Sequence, residues 1–168
     1  MKTISTIFAA ALALVLQGAF AGAYASTTST GGHCTGMTVT DYVASRGVSD
    51  TTSTAWQNVT DAQLNFTTSA AGCVIVTFSG VAYVGAGPND FITMYVRTLF
   101  DGNNTCAPGG YDDRFSGAAA PVPLAASSIT RICKNVPAGA HTLQVQYHGS
   151  DGVNHAYIFS SVLTLTHN

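Results

Sequence analysis

"CVIVTFSG" (Cys73–Gly80) decides how the chain is read. Val74, Val76 and Phe78 fall on one face of a period-two alternation, with Cys73 and Ile75 on the other. Apolar residues on both faces predict a central strand, and Gly80 predicts a bulge or bend near its end. Upstream, across the turn "TTSAAG", "AQLNF" sets Ala62, Leu64 and Phe66 against Gln63 and Asn65, a half-buried strand. Downstream, across "VGAGPND", "FITMYVRTLFDG" sets Ile92, Met94, Val96 and Phe100 against Phe91, Thr93, Tyr95, Arg97 and Leu99. "ITRICKNV", a "PAG" turn, "HTLQVQYH" and the closing apolar set ending in "VLTLTHN" continue the rhythm. "MTVTDYV" predicts a short first strand, and "ASRGVSDTTST" after it is loop by composition. The stretch from "NNTCAPGGYDDRFSG" through "AAAPVPLAASS" is the least regular part. About eight strands at roughly 8–15-residue spacing, with no helical period between them, predict an all-β, single-domain antiparallel β-sandwich of jelly-roll-like form.

Composition supports this. The chain has no Glu and is rich in Thr, Val and aromatic residues, which suit strands and not helices. Five basic residues against eight aspartates after Ala25 give a net charge of −3, with no basic stripe to neutralise phosphates, so a nucleic-acid partner is not expected.

The first 25 residues, "MKTISTIFAAALALVLQGAFAGAYA", read as a cleaved secretory signal: Lys2, an apolar run from about Ile7 to Leu16, then the A-x-A pattern Ala23-Tyr24-Ala25. The run is short of the ~20 apolar residues of a membrane span, and no later stretch qualifies. The expected organisation is a signal peptide at 1–25, a Ser/Thr/Gly-rich leader with a possible first strand at 26–54, and the sandwich at 55–168, in a secreted or periplasmic protein. Four cysteines in an exported chain predict two disulfides out of three possible connectivities. Cys106–Cys133 would pin the irregular segment to the strand that follows it, and Cys34–Cys73 would pin the leader to the sheet.

A resemblance joins these readings. "TAWQNVTDAQLNFTT", "GCVIVTFSG", "LFDG", "NVPAGAHTLQVQY" and the terminal "VLTLTHN" together resemble small secreted bacterial and tail-fibre-like modules of C1q/TNF-like jelly-roll shape, over roughly 55–168. The resemblance implies fold and export, and a protein that binds, assembles or decorates a surface, with no shared catalytic residues.

Chemistry has few footholds. In "HTLQVQYHGSDGVNHAYIF" (141–159), pairing Tyr147 with His155, Val145 with Tyr157 and Leu143 with Phe159 gives a hairpin with both apolar sets inward. His148 then points to solvent and His155 inward near the rim, on opposite faces, so the two do not share a metal ion. "GSDG" is turn composition, and no nucleophile elbow or paired Glu carboxylates exist. Asp101, Asp112 and Asp113, with Asp90, lie in loops that could supply oxygen ligands to calcium, but no spacing matches a calcium loop and no cofactor is expected. Sequons occur at Asn58, Asn65 and Asn103. The feature that stands out is the outward row Phe91, Tyr95 and Arg97, suited to a sugar ring or a protein surface. The expected function is therefore a non-catalytic interaction or structural module that binds a glycan, a cell surface or a protein, with a homo-oligomer among its forms. The alternative is a small exported hydrolase built from loop Asp, His and Ser residues.

Overall fold

Two antiparallel four-stranded sheets face each other across one apolar core. The structure, a computed structural model, describes Cys34, residues 36–85, 91–103, 106–107, 113–119 and 124–168. Residues 1–33, and with them the signal-peptide expectation, lie outside the described residues. The strands are β1 (Val39–Thr51), β2 (Gln57–Thr68), β3 (Gly72–Val84), β4 (Phe91–Phe100), β5 (Asp113–Ala119), β6 (Ala125–Val136), β7 (Gly139–Gly149) and β8 (Ala156–His167). One sheet runs β1-β8-β3-β6 and the other β2-β7-β4-β5, the jelly-roll arrangement of two interleaved Greek keys.

Alternation explains the core. Val74, Val76 and Phe78 of β3, Ile92, Met94 and Val96 of β4, and Leu143, Val145 and Tyr147 of β7 are all buried between the sheets, as their parity predicts. β3 is the central strand that its two apolar faces imply, lying between β8 and β6. Desolvation, aided by the charge of Asp50, pushes the Tyr147 phenol up to about 12, so it stays neutral in the core.

Both expected disulfides are formed, Cys34–Cys73 and Cys106–Cys133. The second is buried and seats the backbone pair Ala107–Ile132, whose two N–H···O bonds are 2.8 Å each. It thereby ties the irregular segment to β6.

Three expectations need correction. The first strand is neither short nor part of a leader. It runs from Val39 to Thr51 through "ASRGVSDT" and forms a full edge of the sandwich. Composition misleads there because the inward positions are Ser45, Gly47 and Ser49, while the outward ones include Tyr42, Ala44 and Val48. Ser45 Oγ donates to Asp61 Oδ2 (3.1 Å) and Ser49 Oγ accepts from Thr60 N–H (2.7 Å), closing this side of the sandwich with hydroxyls instead of apolar side chains.

Second, the irregular stretch contains β5, an edge strand on β4. It carries one large inward residue among those described, Phe115, packed on Phe78 with ring centroids 5.4 Å apart. Of its three described side chains, Arg114 is exposed while Phe115 and Ser116 are buried in succession, next to the register shift between Met94 and Tyr95, so no plain alternation marks the strand.

Third, β7 and β8 are not a hairpin. They belong to opposite sheets, and 150–155 crosses from one to the other. The apolar set of β7 faces the core, but only the second half of the expected set of β8, Leu163 and Leu165, does so, because β8 changes phase. Ser79 pairs with Val162 and Val81 with Phe159, so Ser160 and Ser161 together oppose Gly80, a bulge with Ser160 at φ 45°. Ala156 and Ile158 are inward before the bulge, and Ser161, Leu163 and Leu165 after it. Tyr157 and Phe159 therefore face outward, and His155 is exposed instead of pointing into the rim. Gly80 is the bulge partner that its position predicts. A Cβ there would come within 3.1 Å of Ile158 Cγ2.

Candidate functional site

The outer face of the β2-β7-β4-β5 sheet carries two rows of side chains that register brings together. Arg97 lies opposite Gln146, and Gln146 opposite Asn58. Tyr95 lies opposite His148 on one side and Arg114 on the other. Trp56 enters β2 one residue before Gln57, the partner of Tyr147, and reaches His148.

The contacts are specific. The Arg97 guanidinium lies over the Trp56 ring, its carbon 4.2 Å from the centroid. Arg97 Nε and Nη2 both donate to Gln146 Oε1, at 2.9 and 2.6 Å, and Gln146 Nε2 donates to Asn58 Oδ1 at 2.8 Å. His148 meets Trp56 edge-on at 4.3 Å and stacks on Tyr95 at 5.1 Å, with Nδ1 facing the Gly149 carbonyl at 2.7 Å. Desolvation lowers the Arg97 pKa from its ordinary value, yet a guanidinium remains charged at any physiological pH. The result is a planar cation fixed in orientation by a ring face and an amide, beside half-buried aromatic rings. Among the described residues of these two rows there is no carboxylate.

Tyr95 and Arg97 thus sit on the outward face as their parity predicts. Phe91 opens β4, but its side chain lies outside what is described. Reasoning from the sequence missed Trp56, His148, Gln146 and Asn58 as members of this face. The signal was present in the parity of Gln146 and His148, but using it required knowing that β7 lies between β2 and β4.

The other candidates have local partners. Asp101, at φ 48° in the turn after β4, accepts from Thr142 N–H on Oδ1 and meets His141 Nδ1 on Oδ2, both at 2.8 Å. Asp90 and Asp112 lie outside the described residues, as does the side chain of Asp113, whose backbone begins β5. Ser150 Oγ accepts from Thr93 N–H, and Asp151 accepts the N–H groups of Val153 and Asn154. These are turn and cap bonds. His155 Nδ1 lies 2.7 Å from Asp50 Oδ1, on the sheet opposite to that of His148. Among the described residues no group of three or more His, Cys or Asp side chains is placed to hold a metal ion.

His141 is instructive because both its ring nitrogens face acceptors, Asp101 Oδ2 and, at 2.9 Å, the Pro137 carbonyl. Only the imidazolium donates to both. Burial alone would lower its pKa. The Asp101 hydrogen bond, the Pro137 carbonyl and the Asp101 charge outweigh it, so His141 titrates above 6.5. For Asp101 burial acts upward, but the Thr142 N–H and His141 outweigh it, and the carboxyl titrates below 3.8. The raised histidine stabilises the fold fully below pH 6.5 and loses this as pH rises through its folded value. The lowered aspartate stabilises above pH 3.8 and loses this as pH falls through its own. The pair therefore contributes most between about pH 4 and 6.5. Melting temperature should fall from pH 6 to pH 8.5 by more in the native chain than in Asp101→Asn. Parallel curves for the two proteins would contradict this.

No protein-family model matches the chain, and a search of curated proteins returns no match to it.

Proposed function

We propose that this protein is a non-catalytic binding module that works outside the cytoplasm and holds a glycan on the outer face of the β2-β7-β4-β5 sheet. The observation that carries the reading is the Trp56–Arg97–Gln146–Asn58 contact chain beside Tyr95 and His148. Aromatic rings offer flat apolar surface to the C–H faces of a pyranose, while planar amides and a guanidinium match vicinal hydroxyls. A fixed, charged fork with no carboxylate among its described neighbours favours acidic sugars, whose carboxylate the guanidinium can hold by two hydrogen bonds. Two disulfides suit an oxidising compartment, and no helix among the described residues is long and apolar enough to cross a membrane.

A glycan array read alongside solution calorimetry tests this. Binding should concentrate on uronate- or sialate-bearing glycans. Arg97→Lys keeps the charge but loses the planar fork and its stacking on Trp56, and should weaken binding about tenfold, some 1.4 kcal/mol. Tyr95→Ala should also weaken binding while costing less than about 1 kcal/mol of stability, as changes at half-exposed positions do. An array without hits, or hits unaffected by both substitutions, would overturn the reading.

A further inference from the structure

The opposite sheet presents a different surface. Because the bulge at Ser160 turns Tyr157 and Phe159 outward, they form a ladder with His155: His155 to Tyr157 at 5.4 Å and 11°, Tyr157 to Phe159 at 5.8 Å and 16°. Tyr83 of β3 joins from the side at 5.7 Å. His155, Tyr157 and Phe159 stand face to face, so each ring covers part of its neighbour. A sugar would need a free face, so the ladder suits close packing against protein instead.

The face around the ladder is uncharged across β8 and β3 and largely apolar. One row runs Val48, Phe159, Val81, Ala126. Beyond it lie the exposed side chains of Val162 and Tyr42, 39% and 71% accessible. Four of its hydroxyls pair with one another across β3 and β6, Ser79 with Ser128 at 2.9 Å and Thr77 with Thr130 at 3.2 Å. Burying them therefore strips little hydrogen bonding from water. Among the described residues the charged side chains of this face, Arg46, Asp50 and Lys134, sit on its edge strands β1 and β6. An uncharged centre with a charged margin is the anatomy of a protein interface.

We propose that a second copy of this chain docks on the β1-β8-β3-β6 face. Four strands at ~4.8 Å spacing and five outward rows along them project ~500 Å², which side-chain relief carries toward the ~600–800 Å² per partner of a specific complex. The margin bears both signs, Arg46 and Lys134 against Asp50, so a second copy brings complementary charge along with an equally uncharged centre. The outer face of the other sheet carries Arg97 and Arg114 within its rows and is no match for it. Self-association through this face leaves the glycan face open on the far side of each protomer.

Sedimentation velocity of the full mature chain up to about 100 µM, a span that reveals micromolar association, decides this. The native protein should sediment as an oligomer. Val162→Asp and Tyr42→Asp should each weaken association at least tenfold, while Gln63→Asp on the other sheet leaves it unchanged. Should Val162→Asp fail to fold by circular dichroism, Tyr42→Asp decides alone, since that side chain is mostly in solvent. A native chain that stays monomeric throughout, including one that instead binds a different protein here, overturns the proposal. So does an oligomer that both substitutions leave intact. Glycan binding by the monomeric variants, measured per site, separates this outcome from the fate of the other face.

Discussion

Reducing both disulfides should lower the melting temperature by about 20 °C or leave the chain unfolded at room temperature. Cys34–Cys73 and Cys106–Cys133 span 39 and 27 residues. In the chain-entropy account, closing loops of that size contributes about 3–4 kcal/mol each, and the sum is a large part of the ~5–15 kcal/mol that holds a domain together. At ~2–4 °C per kcal/mol for a domain of this length, the shift follows. Cys106–Cys133 should matter more than its span implies, since both sulfurs are buried and the link seats the only described backbone contact of 106–107 with β6. Calorimetry with and without a phosphine reductant, beside the Cys106→Ser/Cys133→Ser double variant, gives the measurement. A loss below about 1 kcal/mol for that double variant would show that strand pairing alone holds the segment.

Ile158→Ala and Leu163→Ala should be as damaging, each costing about 2–5 kcal/mol, although residues five apart lie on opposite faces of a plain strand. Both side chains are buried because Ser160 is an extra residue, and the bulge that absorbs it changes the phase of β8 between them. Tyr157 and Phe159, of the same parity as Leu163, face outward, so Phe159→Ala should cost less than either. Ser160→Gly is the control. It keeps the length and relieves a left-handed φ of 45°, and should be neutral or stabilising by up to about 1 kcal/mol. Deleting Ser160 leaves Ile158 and Leu163 four apart, on one face of a regular strand, and should keep the core. Chemical denaturation of these variants checks the expectations. A mild loss in Ile158→Ala beside a large one in Phe159→Ala would mean that the bulge does not set the phase.

Ser160 also shows where reading the sequence runs out. β3, β4 and β7 are legible because each keeps one alternation from end to end, so the residues bound for the core can be counted off. β8 has two alternations joined at Ser160, and the serine pair that joins them resembles any polar interruption. β1 is illegible for a different reason: its inward side chains serve β2 through hydroxyl bonds to Asp61 and Thr60 N–H, so the hydrophobic pattern points the wrong way. Of the candidate site, Tyr95 and Arg97 follow from parity along one strand. Trp56, Gln146 and Asn58 join them only through pairings across the sheet, and those come from topology, which local patterns do not carry.

Strand order also governs when this molecule can fold. The interior place in each sheet next to the earliest strands is taken by the latest: β7 lies between β2 and β4, and β8 between β1 and β3. Until residues 139–167 are available, β1 and β2 have no sheet partner, and only the β3–β6 and β4–β5 pairs can form. Val39 must wait for His167. Such long-range closure makes folding slow and concentrates it after synthesis. Synthesis therefore delivers a chain with no finished sheet, and both sheets close only once the last two strands are available.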